Sequence, residues 1–360
     1  MKTTFPWALF HDSSTGLKVD TLLRLCNYAK ALLWVSVLTF AMAYLSCKND
    51  RPNIIKDELK VPRMEDVLNG NNPALVTLVN KVRGSVGRRG PGSKTIWSRK
   101  NVHGLGLYIS ANHVYGLGWS SRNAQVFDLH AENMGIFETS QIPPVNGDLA
   151  LGKTLIADFP LMHFDISASA TNTSLLPSQD FYLGIIDNQR VEQGPLSKHP
   201  EMVKTNVPLQ MHDPVNRTNA SQTWAVAIAG EQAVGVGYPQ DRSNYPNGAV
   251  AYGKILSDTE AANVMLALKA AGDIEGTVAY DPNVEFILEA QGIAGMSGGG
   301  VFNSEGQLLG IMVRASDQQK APKIIRVVKM SYIRFKMLEL YNQLPQTPKD
   351  KVERFISGEL

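Results

Sequence analysis

The chain of 360 residues carries 35 Lys and Arg against 33 Asp and Glu. That near balance, with no long basic run, gives no support to a nucleic-acid partner, and the length suffices for a two-part unit with a well-buried core. Its two cysteines, Cys26 and Cys47, lie in or before the first apolar run, so the chain beyond residue 47 has no disulfide and must be held by packing.

In chain order, residues 1–28 read as a leader and 29–47 as an apolar run with no charge between Lys30 and Lys48. The run is roughly 17 residues, the lower edge of a membrane span. Two readings stay open. One is an uncleaved signal anchor, with Arg24 and Lys30 kept on the cytoplasmic side. The other is a lipoprotein signal ending at Leu45-Ser46-Cys47. Its Ser-Cys resembles a bacterial lipobox, although Tyr44 stands where leucine is usual and the leader is long. A buried core helix is the plainer alternative, but no amphipathic stripe is visible. Either membrane reading sends the rest of the chain out of the cytoplasm, to a periplasm or cell surface. Residues 48–73 are polar and punctuated by Pro52, Pro62 and Gly70-Asn71-Asn72-Pro73, a tether with a short helix.

Beyond the tether, 75–82 predicts an opening helix or strand. Residues 87–95 come close to a phosphate loop, but Ser93 interrupts the required Gly-Lys pair; with Arg99 and Lys100 the segment reads as a solvated basic hairpin. At 104–114 an alternating apolar strand runs into a polar corner and presents His113. The Gly-x-Gly there lacks the third glycine and following helix of a dinucleotide site. Three aspartates then head apolar runs: Asp148, Asp165 and Asp180. Strands are expected at 225–228, 233–238, 250–256 and 284–288, with a helix over 258–271. The segment Gly295-Met296-Ser297-Gly298-Gly299-Gly300 sets one serine among glycines, ahead of a hairpin over 301–313. A helix over 332–344 follows. The seven histidines show no His-x-x-x-His spacing, so no metal site is expected. Nor does any motif call for a cofactor.

The Gly-Met-Ser-Gly-Gly segment, its continuation through Asn303 and Leu-Leu-Gly-Ile, and the Gly-x-Gly … Asn-His-Val segment upstream together resemble the trypsin-like serine peptidases. The similarity is to the bacterial branch, of HtrA and glutamyl endopeptidase type. It implies an all-β fold of two antiparallel six-stranded barrels (chymotrypsin-like), here with an N-terminal membrane anchor and a C-terminal helix. The barrels are expected over 74–208 and 209–335, with 336–360 as closing helix and tail. Nothing after Ser297 is long enough for an HtrA-type peptide-binding module.

By the same resemblance Ser297 is the nucleophile, His113 the general base, and the Gly295 and Ser297 N–H groups the oxyanion hole. Histidine suits the role because its pKa lies near neutrality. An acid should orient it. Two further strands must fit between base and acid, which leaves Asp148 too little chain and favours Asp180, with Asp165 as the alternative. Gln291, Met312 and Arg314 are expected at the substrate pocket; Arg314 either favours an acidic side chain or is solvated at a strand edge. Met296 departs from the aspartate that many secreted relatives pair with a new N-terminus, which puts that maturation switch and the set of the oxyanion loop in question. The expected function is a membrane-tethered serine endopeptidase acting on protein or peptide substrates through an acyl-enzyme. The alternative is a catalytically inactive binding module of the same fold at the cell envelope. An α/β-hydrolase esterase would place its serine before its histidine, the reverse of the order here.

Overall fold

The computed structural model describes residues 60–89, 92–102, 105–116, 133–140, 151–162, 176–187, 224–347 and 349–350. The apolar run at 29–47, both cysteines, and Asp148 and Asp165 lie outside them. Among the described residues no helix is long and apolar enough to cross a membrane.

Two sheets of six antiparallel strands each close on themselves. The first comprises β1 (Val86–Arg89), β2 (Gly92–Val102), β3 (Leu105–Ser110), β4 (Asn133–Ser140), β5 (Leu151–Met162) and β6 (Tyr182–Asp187). Its order is β1-β2-β3-β6-β5-β4, closed by pairing of β1 with β4. The second comprises β7 (Gln232–Gly237), β8 (Ala249–Ile255), β9 (Glu285–Glu289), β10 (Gly300–Phe302), β11 (Leu308–Ala315) and β12 (Ile325–Lys329). It is closed by β10 against β7. Counted from its own first strand, each sheet has the same connectivity. Closure removes the open edges that a free sheet would have to protect.

Alternation explains the strands of the second sheet. Val234 and Val236 point into one apolar cluster with Val250, Ile311 and Val328, while Ala233, Ala251, Val301 and Met312 pack in another. The first of these clusters also takes Val86, Leu107, Ile109, Phe181 and Leu183 from the first sheet, so the core that carries the fold lies where the two sheets meet. At roughly 1.5–3 kcal/mol per fully buried aliphatic side chain, that shared core is the main attraction between the halves. No strand forms at 225–228; only a bridge from Trp224 to Leu308 occurs there, and Val226 and Ile228 are exposed.

The segment at 75–82 resolves as helix: α1 (Met64–Leu68) and α2 (Pro73–Val82) precede the first sheet. Asn72 caps α2 by accepting from Leu75 N–H, and Val79 and Val82 enter the shared core. A short α3 (Asn112–Gly116) follows β3. Helix α4 (Asp258–Ala270) starts at a capping box between Ser257 and Glu260 and lays Ala261, Met265 and Leu268 on the second sheet's flank. The closing helix, α5 (Met330–Gln343), lies within two residues of the expected 332–344 and starts directly off β12, ahead of the boundary drawn at 336. Its Ile333 and Met337 join the shared core.

The basic hairpin is the clearest difference from expectation. Segments β1 and β2 do form a hairpin, yet Arg88 and Lys94 are buried rather than solvated. The Arg88 guanidinium donates to the Tyr245 carbonyl at 3.1 Å, and Lys94 Nζ sits 4.0 Å from the centre of the Tyr108 ring. Long stems let these residues pack as apolar groups while their heads find carbonyl and aromatic partners.

Candidate active site

Three chain segments meet at a cavity of about 550 Å³. The first is α3, which follows the alternating strand β3 and carries His113 one residue into its first turn. The second is the corner before β6. A one-turn helix at Pro177–Gln179 ends at Asp180, whose N–H returns to the Pro177 carbonyl at 3.1 Å. Tyr332 of α5 braces this corner with a hydrogen bond to the Ser178 carbonyl and an edge contact to Phe181. The third is the glycine-rich turn between β9 and β10 that carries Ser297.

His113 and Asp180 are bonded to one another. Asp180 is 1% exposed, and its Oδ2 and Oδ1 lie 2.8 and 3.0 Å from His113 Nδ1. Its Oδ1 also accepts from the His113 backbone N–H at 3.0 Å. A carboxylate accepts only, so Nδ1 is the protonated nitrogen and Nε2 carries the lone pair. Burial by itself lowers the His113 pKa, but the Asp180 charge and hydrogen bond outweigh it and hold the imidazole above its ordinary value. Of the three candidate aspartates, Asp180 is set against His113, while Asp148 and Asp165 lie outside the described residues.

Ser297 is part-buried and lines the same cavity as His113 and Asp180. Its hydroxyl points to the Val313 carbonyl at 3.5 Å, the outer limit of a hydrogen bond, and no bond joins it to His113. The turn beside it is closed by Met296 N–H to the Ile293 carbonyl at 3.1 Å, with Gly295 at φ 96°, as in a type II turn. An added Cβ at Gly295 would fall 2.3 Å from Gln240 N, so both dihedral and space demand glycine. Among the described residues, neither the Gly295 nor the Ser297 N–H has a protein acceptor. Such a pair of free donors beside a hydroxyl suits a developing oxyanion.

Met312 and Arg314 line the cavity as expected of pocket residues, but Gln291 does not. Its amide turns away to donate to the Gly292 carbonyl at 2.5 Å, and its Oε1 is buried without a partner. Arg314 is not solvated. It is 9% exposed, and its Nε donates to Glu275 at 2.7 Å. Glu275 lies in the turn after α4 and also lines the cavity; burial pushes its carboxyl up, with Arg314 pulling the other way. Arg326 stands 3.8 Å behind it and is itself held by Glu285. Sequence reading missed Glu275, and no local pattern around it marks it. Among the described residues no cluster of His, Cys, Asp or Glu could hold a metal ion.

No family model matches the chain, and no curated protein matches it. Solved structures do resemble it. One is Rv3671c from M. tuberculosis H37Rv in an inactive form, at 14% identity and a TM-score of 0.37 over 79% of this chain and 99% of that one. The HtrA-type protease AlgW with a decapeptide covers 74% of this chain and 67% of its own, at 12% identity and a TM-score of 0.37. A serine endoprotease from Yersinia pestis gives 15% identity and a TM-score of 0.35, over 74% of this chain and 66% of that one. These neighbours are serine proteases. Overlaps this loose leave the case for this chain with its own site.

Proposed function

We propose that the chain is a serine endopeptidase of trypsin-like, chymotrypsin-fold type, held at a membrane by residues 29–47 with its catalytic part outside the cytoplasm. One observation carries the reading of chemistry. The His113–Asp180 pair, the Ser297 hydroxyl and two free N–H donors share one cavity. In the reaction, His113 Nε2 takes the Ser297 proton as Oγ attacks the substrate carbonyl. The oxyanion is received by the Gly295 and Ser297 N–H groups, and each such donor is worth about 3 kcal/mol of barrier. The imidazolium, stabilised by Asp180, then protonates the leaving amine, and water resolves the acyl-enzyme along the same path. The tether rests on the sequence alone.

The rival reading is an inactive binding module, favoured by the Ser297 hydroxyl leaning on Val313 rather than on His113. A fluorophosphonate separates the two, because only an activated serine reacts. The full chain should label at Ser297, and Ser297→Ala should remove the label entirely. Silence of the folded wild type decides for the binding module. Mass spectrometry of the mature N-terminus tests the tether: an intact Met1 excludes lipidation at Cys47.

A further inference from the structure

The turn that aims the two N–H donors has to be held by something. Met296 supplies no charge for an ion pair; its side chain is 2% exposed and packed with Val301 and Met312 in the second sheet's core. A peptide N–H points opposite to the carbonyl of the preceding residue, so the Gly295 and Ser297 donors are aimed by the holds on the Ala294 and Met296 carbonyls and by those on the peptide units linked to them. Here six consecutive carbonyls are all occupied. Ile293 O accepts from Met296 N–H at 3.1 Å, Ala294 O from Gln240 N–H at 2.9 Å, and Met296 O from Gly299 N–H at 2.9 Å. Gly295 O accepts from the Ser93 hydroxyl at 2.8 Å, Ser297 O from the Ser93 N–H at 2.9 Å, and Gly298 O from the Thr95 hydroxyl at 3.0 Å.

Three of these six bonds come from β2 of the other sheet, and Ser93 makes two of them. Its hydroxyl is fully committed: it donates to Gly295 O and accepts from Tyr238 N–H at 2.7 Å. Its own carbonyl is held by the Ser110 hydroxyl at 2.7 Å. Ser93 and Ser110 are both 0% exposed. Gly298, at φ 85°, lets the chain pass this close; a Cβ there would lie 2.1 Å from Ser93 O.

Resting on the serine-peptidase reading above, we propose that Ser93 is a positioning residue for the oxyanion hole. From the first sheet it holds the Gly295–Met296 peptide by its hydroxyl and the Ser297–Gly298 peptide by its N–H, the two units that follow the donors. The donor peptides themselves are held by the Gln240 and Gly299 N–H groups, and Ser93 locks the units between and after them, the task that a buried ion pair to a cut N-terminus would do. The donors are therefore set as the chain folds, without proteolytic maturation. Ser93 touches no reacting atom; it acts through Gly295 and Ser297.

The test compares the full-length wild type with Ser93→Ala in fluorophosphonate labelling rate, peptide turnover and thermal unfolding. The expected result is a fall in labelling rate and kcat of roughly tenfold or more, KM unchanged within about twofold, and the acid limb of the pH profile unmoved. A purely structural role would instead lower the melting temperature while leaving kcat per folded molecule intact. Should Ser93→Ala not fold, Ser110→Ala loosens the Ser93 strand from behind and should show a smaller loss in kcat alone. Wild-type kcat in the folded variant, or a loss confined to KM, overturns the inference while leaving the peptidase reading standing. A silent wild type overturns that reading and the inference with it. Labelling of wild type only after a protease has trimmed the chain overturns preset donors.

Discussion

The two sheets share one strand connectivity yet contribute different kinds of chemistry to the cavity between them. The first delivers side chains: His113 and Asp180, aligned by three contacts between α3 and the corner before β6. The second delivers the Ser297 hydroxyl and, beside it, backbone: a turn whose Gly295 and Ser297 N–H groups are free while its carbonyls are held. A side-chain pair is tuned by charge and burial, whereas a backbone site is tuned by what grips the chain. Changes in the His113–Asp180 pair should therefore alter protonation, and changes around the turn, whichever sheet they come from, should alter geometry or stability.

The sharpest test of that division is Asp180→Asn. An amide can present its NH2 to Nδ1, which selects the wrong tautomer, so kcat should fall by about 10⁴ with little change in melting temperature. A modest loss would mean that His113 is oriented by something else and the first sheet's role is misread.

On the second sheet, Arg314→Met removes the nearer partner of buried Glu275, which leaves a carboxylate facing only Arg326 at 3.8 Å. Breaking a buried pair from one side costs about 3–5 kcal/mol, read as a lowered midpoint in denaturant. The double change Arg314→Met with Glu275→Leu should recover most of it. A neutral single variant would show that the pair is not desolvated in solution.

The smallest expected effect concerns pH. His113 must be neutral to act as base, and its pKa is held above the ordinary value of about 6.5 by Asp180 against the opposing effect of burial. Activity should rise with pH through a limb displaced above 6.5, and residual activity of Asp180→Asn should show that limb moved below it. The stability linked to the pair has the opposite sense: it is fully present below the unfolded pKa and lost as pH rises through the folded one. A limb unchanged between wild type and variant would separate the His113 titration from Asp180.

Local signals in the sequence reached a good part of the molecule. The strand ahead of His113 is legible from alternation, and the turn at Ser297 from glycines that only a tight turn requires. Helix α4 is legible from its Ala and Leu content, and the structure adds the capping box between Ser257 and Glu260. All of these depend on forces acting within a turn or two of chain. The choice among Asp148, Asp165 and Asp180 could be argued only from the apolar run each heads and from how much chain two strands consume. The burial of Arg88 and Lys94 reversed their sequence reading, because composition reports charge and not the carbonyl or ring that awaits it.

The sequence by itself determined that a serine among glycines follows a histidine at a strand end, and that the chain beyond residue 47 must fold without disulfides. Tertiary structure alone showed that Asp180 meets His113, that Glu275 pairs with an arginine 39 residues on, and that Ser93 holds a turn 202 residues away. Sheet closure brings those groups together, and closure depends on the register of every strand at once. No local pattern can carry that information.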